Sequence, residues 1–127
     1  MDIKIDFHKG KPIYEQIIEQ IKLMISTGTL QPNDKIPTIR NMAKKLGVNP
    51  GTVAKAYRDL LKDGYLITRG SGGTYISVNA KKLLEKEKSK LIIQEISECI
   101  EKAKLLGITK DEIFQILDKE WNNICLR

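Results

Sequence analysis

The sequence predicts a mainly α-helical protein with one small β-hairpin, and three observations support this fold class. In five segments the apolar residues recur every three or four positions, which is the spacing of one face of an α-helix. Two β-rich runs, residues 65–68 and 74–78, flank a glycine-rich stretch and predict two short antiparallel strands. With 127 residues and 41% hydrophobic residues, the chain has enough apolar material for one compact domain, or for a small domain with an appendage.

The first segments predict an arm or a strand and then a helix. Residues 2–7 alternate apolar and charged side chains, which is typical of a short half-buried strand or an extended arm. A helix is expected from Pro12 to Gly28, because proline is tolerated at helix starts and glycine is common just after helix ends. A turn-rich stretch then runs to Pro37. The apolar stripe of this first helix comprises Ile13, Tyr14, Ile17, Ile18, Ile21, Met24 and Ile25.

The next two helices are short and are joined by a tight turn. Thr38 can cap the second helix, which stops at Gly47, and Asn49 with Pro50 marks the start of the third. This is a helix-turn-helix pattern, in which the second helix of the motif can enter the major groove of DNA. The second helix is expected to bury Ile39, Met42, Ala43 and Leu46. In a helical projection the third helix has an apolar face of Val53, Ala56, Tyr57 and Leu60 opposite a basic face of Gly51, Lys55, Arg58 and Lys62.

The two β-rich runs follow directly after the helix-turn-helix pattern. They flank residues 69–73, so the prediction is a hairpin with a flexible glycine tip, and the whole is a winged helix-turn-helix. The glycine cluster lacks the spacing of nucleotide-binding glycine motifs, and no helix starts after it. No nucleotide or other cofactor is therefore predicted.

From residue 79 the composition changes to Lys- and Glu-rich helix formers and predicts a tail of two helices. The first has an apolar seam that ends before Gly107, and the second begins at Thr109, where Glu112 would complete a capping box. Two such helices hold too little core to stand alone, so they must pack on the winged helix, on a second copy, or on both. The domains are predicted as residues 1–78 and 79–127. Cys99 and Cys125, both at predicted helical positions, are expected to be packing residues.

Charge and residue usage narrow the function classes. Residues 1–80 contain 12 Lys/Arg and 7 Asp/Glu, a net charge of +5, whereas residues 81–127 contain 10 and 9, a net charge of +1. A basic segment before a nearly neutral one suits a nucleic-acid-binding module joined to a protein-binding module. His8 is the only histidine and has no cysteine or carboxylate at catalytic or metal-ligating spacing, so neither an enzyme nor a metal site is predicted. The absence of a long apolar run and of a secretory leader predicts a cytoplasmic protein without a membrane partner.

Several motifs in the right order resemble the GntR family of bacterial transcription regulators. The matching runs are residues 12–16, 37–43, 47–60 and 64–66, and the resemblance extends over about residues 13–78. The Asn-Pro-x-Thr-Val-x-Lys-Ala-Tyr stretch and the short two-helix tail look like the YtrA-type subfamily. One departure lies at the wing, where the family usually has two adjacent arginines and this chain has Thr68 and Arg69. The electrostatic contact of the wing with DNA is therefore expected to be weaker.

The resemblance implies a set of DNA-binding residues. They lie at the starts of the second and third helices, on the outer face of the third helix, and at the wing. For Asn49 and Thr38, helix capping is an alternative or additional role, and for Tyr57 core packing takes the larger share. The predicted set is Thr38, Arg40, Asn49, Gly51, Thr52, Lys55, Tyr57, Arg58, Arg69 and Gly72.

The resemblance also implies a homodimeric repressor, often of an operon that encodes an ABC transporter, binding an inverted-repeat operator in double-stranded DNA. The tail is expected to pair two chains, and it leaves room for at most a small pocket for an effector that the sequence does not identify. The predicted dimerisation residues are Ile92, Ile96, Cys99, Ile100, Ala103, Leu106, Ile113, Leu117 and Trp121. Two alternatives remain open, a winged-helix module for protein assembly and the truncated front end of a GntR-like aminotransferase-type regulator.

Overall fold

A computed structural model of the protein describes residues 1–124 and confirms a mainly α-helical fold with a small antiparallel sheet. The chain forms two compact units, Met1–Lys86 and a second that starts at Glu87, and the division falls inside the fourth helix. None of the helices in residues 1–124 has the length and apolar character needed to cross a membrane. In chain order the elements are α1 (Ile13–Thr27), β1 (Lys35–Ile36), α2 (Ile39–Leu46), α3 (Pro50–Lys62), β2 (Leu66–Thr68), β3 (Thr74–Ile76), α4 (Ala80–Leu105) and α5 (Lys110–Asn123).

The core of the first unit lies between α1, α2, α3 and the sheet. The apolar face projected for α3 is confirmed, since its four residues are all buried. On α2, Met42 and Ala43 are buried and Leu46 is partly buried against the core, but Ile39 is 37% exposed. The expectation that Ile39 points inward was wrong because Ile39 is the first residue of α2, where the chain has just entered the helix. The largest fully buried side chains of the core are Tyr57, Ile17, Ile21, Met42, Leu60, Leu66, Ile76 and Val53.

Local signals set the helix ends. The Thr38 side chain accepts a hydrogen bond from the backbone N–H of Asn41 at 3.1 Å, and Asn49 accepts one from Gly51 at 2.7 Å. These bonds satisfy N–H groups that have no partner within the first helical turn. Gly47 ends α2 with a φ of 68°, a left-handed conformation that glycine adopts without steric cost. The turn between α2 and α3 is therefore tight, as the sequence predicts.

The sheet has three strands, one more than the predicted hairpin. β3 lies in the middle and pairs antiparallel with β2 on one side and with β1 on the other. β1 comprises only Lys35 and Ile36, which pair with Tyr75 and Thr74. A two-residue strand is too short to show an alternating pattern, so the sequence indicated only a turn there. The consequence is that the segment before α2 is attached to the wing.

The N-terminal residues form an extended arm along α1 rather than a strand. Ile3 is buried in the core, while the backbone of the arm bonds to two glutamines one turn apart on α1. Gln16 accepts from the N–H of Asp6 at 2.9 Å and donates back to its carbonyl oxygen at 3.0 Å. Gln20 makes the same pair of bonds with Lys4. The two side-chain amides therefore take the place of a neighbouring strand.

The second unit contains most of α4 and all of α5. Thr109 caps α5, and Glu112 completes the predicted capping box. Ala103 is 5% exposed and its carbonyl oxygen accepts from the N–H of Ile108 at 2.8 Å, so it is buried within one chain. The place of Ala103 in the dimerisation surface stays a prediction. Cys99 is exposed, and Cys125 lies outside the described residues.

Candidate nucleic-acid interface

The outer face of α3 is basic and exposed. Gly51, Lys55 and Arg58 are exposed, and Thr52 is half-buried at the edge of this face. Asn49 is exposed at the start of the helix, and its side-chain oxygen Oδ1 is used as the cap. A Cβ on Gly51 would lie 3.0 Å from that oxygen, so the cap favours the smallest residue at this position. The helix thus presents a backbone that a ligand can approach closely, flanked by two cationic side chains.

The start of α2 carries the next two predicted residues, Thr38 and Arg40, both of which are exposed. A bond from α3 fixes this segment, because the Tyr57 hydroxyl donates to the carbonyl oxygen of Pro37 at 2.8 Å. Tyr57 is 2% exposed, and burial raises the pKa of its hydroxyl well above the usual range. The phenol therefore stays protonated, and its O–H group is used in a hydrogen bond within the protein. Tyr57 therefore joins α3 to the segment before α2 from within the core, the larger share expected of it, and a contact of its hydroxyl with DNA stays a prediction.

Lys55 is supported by α1. Its Nζ atom lies 4.0 Å from the centroid of the Tyr14 ring, a cation–π contact that holds the ammonium group over α1. Tyr14 was expected only as part of the apolar stripe of the first helix. The sequence carries no signal for this contact, because the two residues belong to helices that meet only after folding.

The wing brings Arg69 and Gly72 together with residues from other strands. The Arg69 guanidinium donates to Asn33 Oδ1 and stacks on the Tyr75 ring, with 4.6 Å between the guanidinium carbon and the ring centroid. A Cβ on Gly72 would lie 3.0 Å from the carbonyl oxygen of Arg69, which explains the small residue there. Lys35 also reaches this tip, since its Cε atom would be 2.9 Å from a Cβ on Gly73. The sequence predicts only a turn in the segment that contains Asn33 and Lys35, so neither residue belongs to the predicted DNA-binding set.

The charge of the first unit suits a polyanion. Residues 1–86 contain 15 Lys/Arg and 8 Asp/Glu, a net charge of +7. Four of the exposed cationic groups lie on α2, α3 and the wing, with Arg40 on α2, Lys55 and Arg58 on α3, and Arg69 at the wing. Such groups can bind phosphates of a DNA backbone while the start of α3 faces base edges. Within residues 1–124, no three metal-ligating side chains come together.

The family model described as bacterial regulatory proteins, gntR family, matches residues 13–76. The chain belongs to the GntR family. A similar relative is the HTH-type transcriptional repressor YtrA of Bacillus subtilis (strain 168), which is 38% identical over 113 residues, or 89% of this chain and 87% of that protein. The family explains why α2, α3 and the wing occur together.

Solved structures are similar to most of the chain or to its first part. A GntR family transcriptional regulator from Listeria monocytogenes is 34% identical with a TM-score of 0.73, over 89% of this chain and 98% of that one. The structure of AraR(DBD) in complex with operator ORX1 is 30% identical with a TM-score of 0.54, over 61% of this chain and 99% of that one. The chain is therefore a transcriptional regulator with a DNA-binding winged helix, and not an enzyme.

Proposed function

We propose that this protein is a homodimeric repressor that binds an operator whose two half-sites form an inverted repeat. The observation that carries the proposal is the exposed basic face of α3 beside the capped start of α2. The name of the Bacillus subtilis relative as a repressor, and the operator complex of AraR(DBD), support it. Repression would follow from occupation of promoter DNA.

In this proposal α3 enters the major groove and the wing contacts the sugar-phosphate backbone. Arg40 is the principal contact, because a guanidinium can bond to a phosphate or to the edge of a guanine. The other direct contacts are Thr38, Asn49, Gly51, Thr52, Lys55, Arg58, Arg69 and Gly72. The wing contacts position the protein, and the contacts of α3 with base edges supply sequence specificity.

The second unit would supply the homodimer. Its described residues include twelve large hydrophobic side chains that are exposed in a single chain, and Trp121 is 78% exposed. Apolar surface on this scale marks an interaction site, since it is unfavourable in water. The proposed surface uses Ile92, Ile96, Cys99, Ile100, Leu106, Ile113, Leu117 and Trp121. Two-fold pairing of the chains would place two recognition helices roughly 34 Å apart, which is one turn of DNA.

The proposal for the regulated genes rests on the subfamily resemblance. The proposal includes an operon for an ABC transporter, a cytoplasmic location, and release by a small-molecule effector of unknown chemistry. None of these features depends on the geometry of α3, so each can be refuted without refuting DNA binding.

Operator binding is tested with DNA from the promoter of the protein's own gene, at several salt concentrations. With about three to five phosphates neutralised per chain, the logarithm of affinity should fall with the logarithm of salt at a slope near −5 to −9. We expect Arg40→Ala to weaken binding strongly and to reduce the salt slope by about two, one for each chain of the dimer. Lys119→Ala on α5 removes the same charge outside the winged helix and should bind like the wild type. Weak binding that is indifferent to sequence and to Arg40 would refute the operator proposal and favour a protein-assembly module.

The dimer is tested by sedimentation of the free protein. We expect the wild type to be a dimer and Leu117→Glu to shift it towards monomer, because a carboxylate in an apolar interface loses its hydration. Lys119→Glu is the matched control, since it adds the same side chain two residues away at an exposed position. A monomeric wild type, or equal behaviour of the two variants, would contradict the proposed surface.

A further inference from the structure

The turn before β1 lies directly beside the wing. Residues 31–34 form a tight turn, in which the N–H of Asp34 donates to the carbonyl oxygen of Gln31 at 3.0 Å. Asn33 is its third residue and has a φ of 70°, the only left-handed residue other than glycine among residues 1–124. Pro32 followed by a left-handed residue is typical of a type II turn, and asparagine tolerates this conformation better than most residues.

Two backbone bonds attach this turn to the central strand of the sheet. The N–H of Asn33 donates to the carbonyl oxygen of Ile76 at 2.8 Å, and the N–H of Ile76 donates to Asp34 at 2.9 Å. The side chain of Asn33 is therefore carried by a backbone that is bonded to β3. Its Oδ1 atom accepts from Nη2 of Arg69, which lies 36 residues further along the chain.

Arg69 is also held from a second direction. Its guanidinium stacks on the Tyr75 ring, and the Tyr75 hydroxyl donates to the carbonyl oxygen of Gly72 at 2.9 Å. One face of the guanidinium is thus covered by the ring, and one edge is bonded to Asn33. Because a guanidinium has five N–H donors, others stay available for a phosphate.

We propose that Asn33 is a positioning residue for DNA binding, which holds the wing arginine in its binding orientation before DNA arrives. The inference rests on the proposed DNA contact of Arg69. An exposed arginine has many rotamers, and freezing them on binding lowers affinity. Arg69 is the one arginine in residues 66–76, so the orientation of its side chain matters for the contact of the wing with DNA.

The variant Asn33→Gly tests the proposal cleanly, because glycine keeps the left-handed turn and removes only the side chain. We expect an affinity for operator DNA about three- to tenfold lower than that of the wild type. The salt slope should be unchanged, because Arg69 still reaches its phosphate, whereas Arg69→Ala should reduce the slope by about two, one for each chain of the dimer. In the Arg69→Ala background, Asn33→Gly should have no further effect. Thermal unfolding of each variant checks that the fold is retained.

Nuclear magnetic resonance of the free protein tests the hold on Arg69 without DNA. We expect the Nε–H group of Arg69 to be ordered in the wild type and mobile in Asn33→Gly. The proposal is overturned if Arg69 is equally mobile in the wild type and in Asn33→Gly. It is also overturned if Asn33→Gly binds DNA as tightly as the wild type or more tightly, or if Asn33→Gly lowers the affinity by the same factor when Arg69 is already alanine. If Arg69→Ala binds DNA as tightly as the wild type, the wing contact and the positioning role of Asn33 are both refuted. Loss of binding in Arg40→Ala would in that case still support the operator proposal.

Discussion

Replacing Tyr57 by phenylalanine measures the hydrogen bond that joins α3 to the segment before α2. The ring is 2% exposed, and its hydroxyl donates to the Pro37 carbonyl oxygen at 2.8 Å. Phenylalanine keeps the ring and its packing but removes the donor, so the carbonyl loses its partner. Such a bond contributes about 1 kcal/mol, and a buried group left without a partner raises the cost to about 3 kcal/mol. Pro37 is only half-buried, so we expect the free energy of unfolding to fall by about 1 to 2 kcal/mol.

The assay is urea unfolding followed by far-ultraviolet circular dichroism, which reports all helices. All proteins are compared at one concentration, because the stability of an oligomer depends on concentration. Tyr75→Phe is the matched control: it also removes a phenol hydroxyl, here from an exposed bond to Gly72, and should cost less than about 0.5 kcal/mol. If the two variants lose equal stability, the bond to Pro37 does not stabilise the junction and the reasoning is refuted.

Three further predictions concern the pH dependence of Tyr57 and two helix ends. Burial raises the pKa of the Tyr57 hydroxyl above its ordinary value of 10.0, so its contribution is complete below pH 10 and is lost as the pH rises further. The difference in the free energy of unfolding between wild type and Tyr57→Phe should therefore be constant from pH 7 to 9 and shrink above pH 10. A difference that stays constant in urea titrations above pH 10 would contradict this prediction. Gly47→Ala should lower the free energy of unfolding by about 1 to 2 kcal/mol, because φ is 68° and no heavy atom lies within 4 Å of the added Cβ, so only backbone strain acts. Gly47→Asn should lose less in the same assay, and an equal loss would exclude backbone strain as the cause. Thr109→Ala should destabilise α5 by about 1 kcal/mol, and Thr109→Ser should destabilise it by less. The measurement is the loss of helical circular dichroism on heating. If both variants melt like the wild type, the cap does not stabilise this helix.

Sequence reasoning was most successful where the signal is local. The caps at Thr38, Asn49 and Thr109 depend on atoms within three residues, so the residue types alone predict them. The buried face of α3 was also predicted correctly, because a helix of 13 residues repeats its apolar spacing several times. An apolar pattern of that length identifies which face of the helix is buried.

It failed where an element was too short or where a side chain met a distant partner. The strand Lys35–Ile36 has no repeat to recognise, and Gln16 is buried although it is polar because the arm supplies its bonds. Ile39 carries an apolar side chain but stands at the first position of a helix, where the projection is least reliable. Each error arose because burial depends on what packs against a residue as well as on its type.

By itself the sequence determined the order of the helices and of the two hairpin strands, the helix ends, the basic outer face of α3 and the family resemblance. These features arise from backbone preferences and from the spacing of residue types over a few positions. Such local preferences do not depend on how the chain packs in three dimensions. Only the tertiary structure decided that Tyr57 bonds to Pro37, that Lys55 lies over Tyr14 and that Asn33 holds Arg69. These contacts join residues that are far apart in the chain, and burial of the common core is what brings them together.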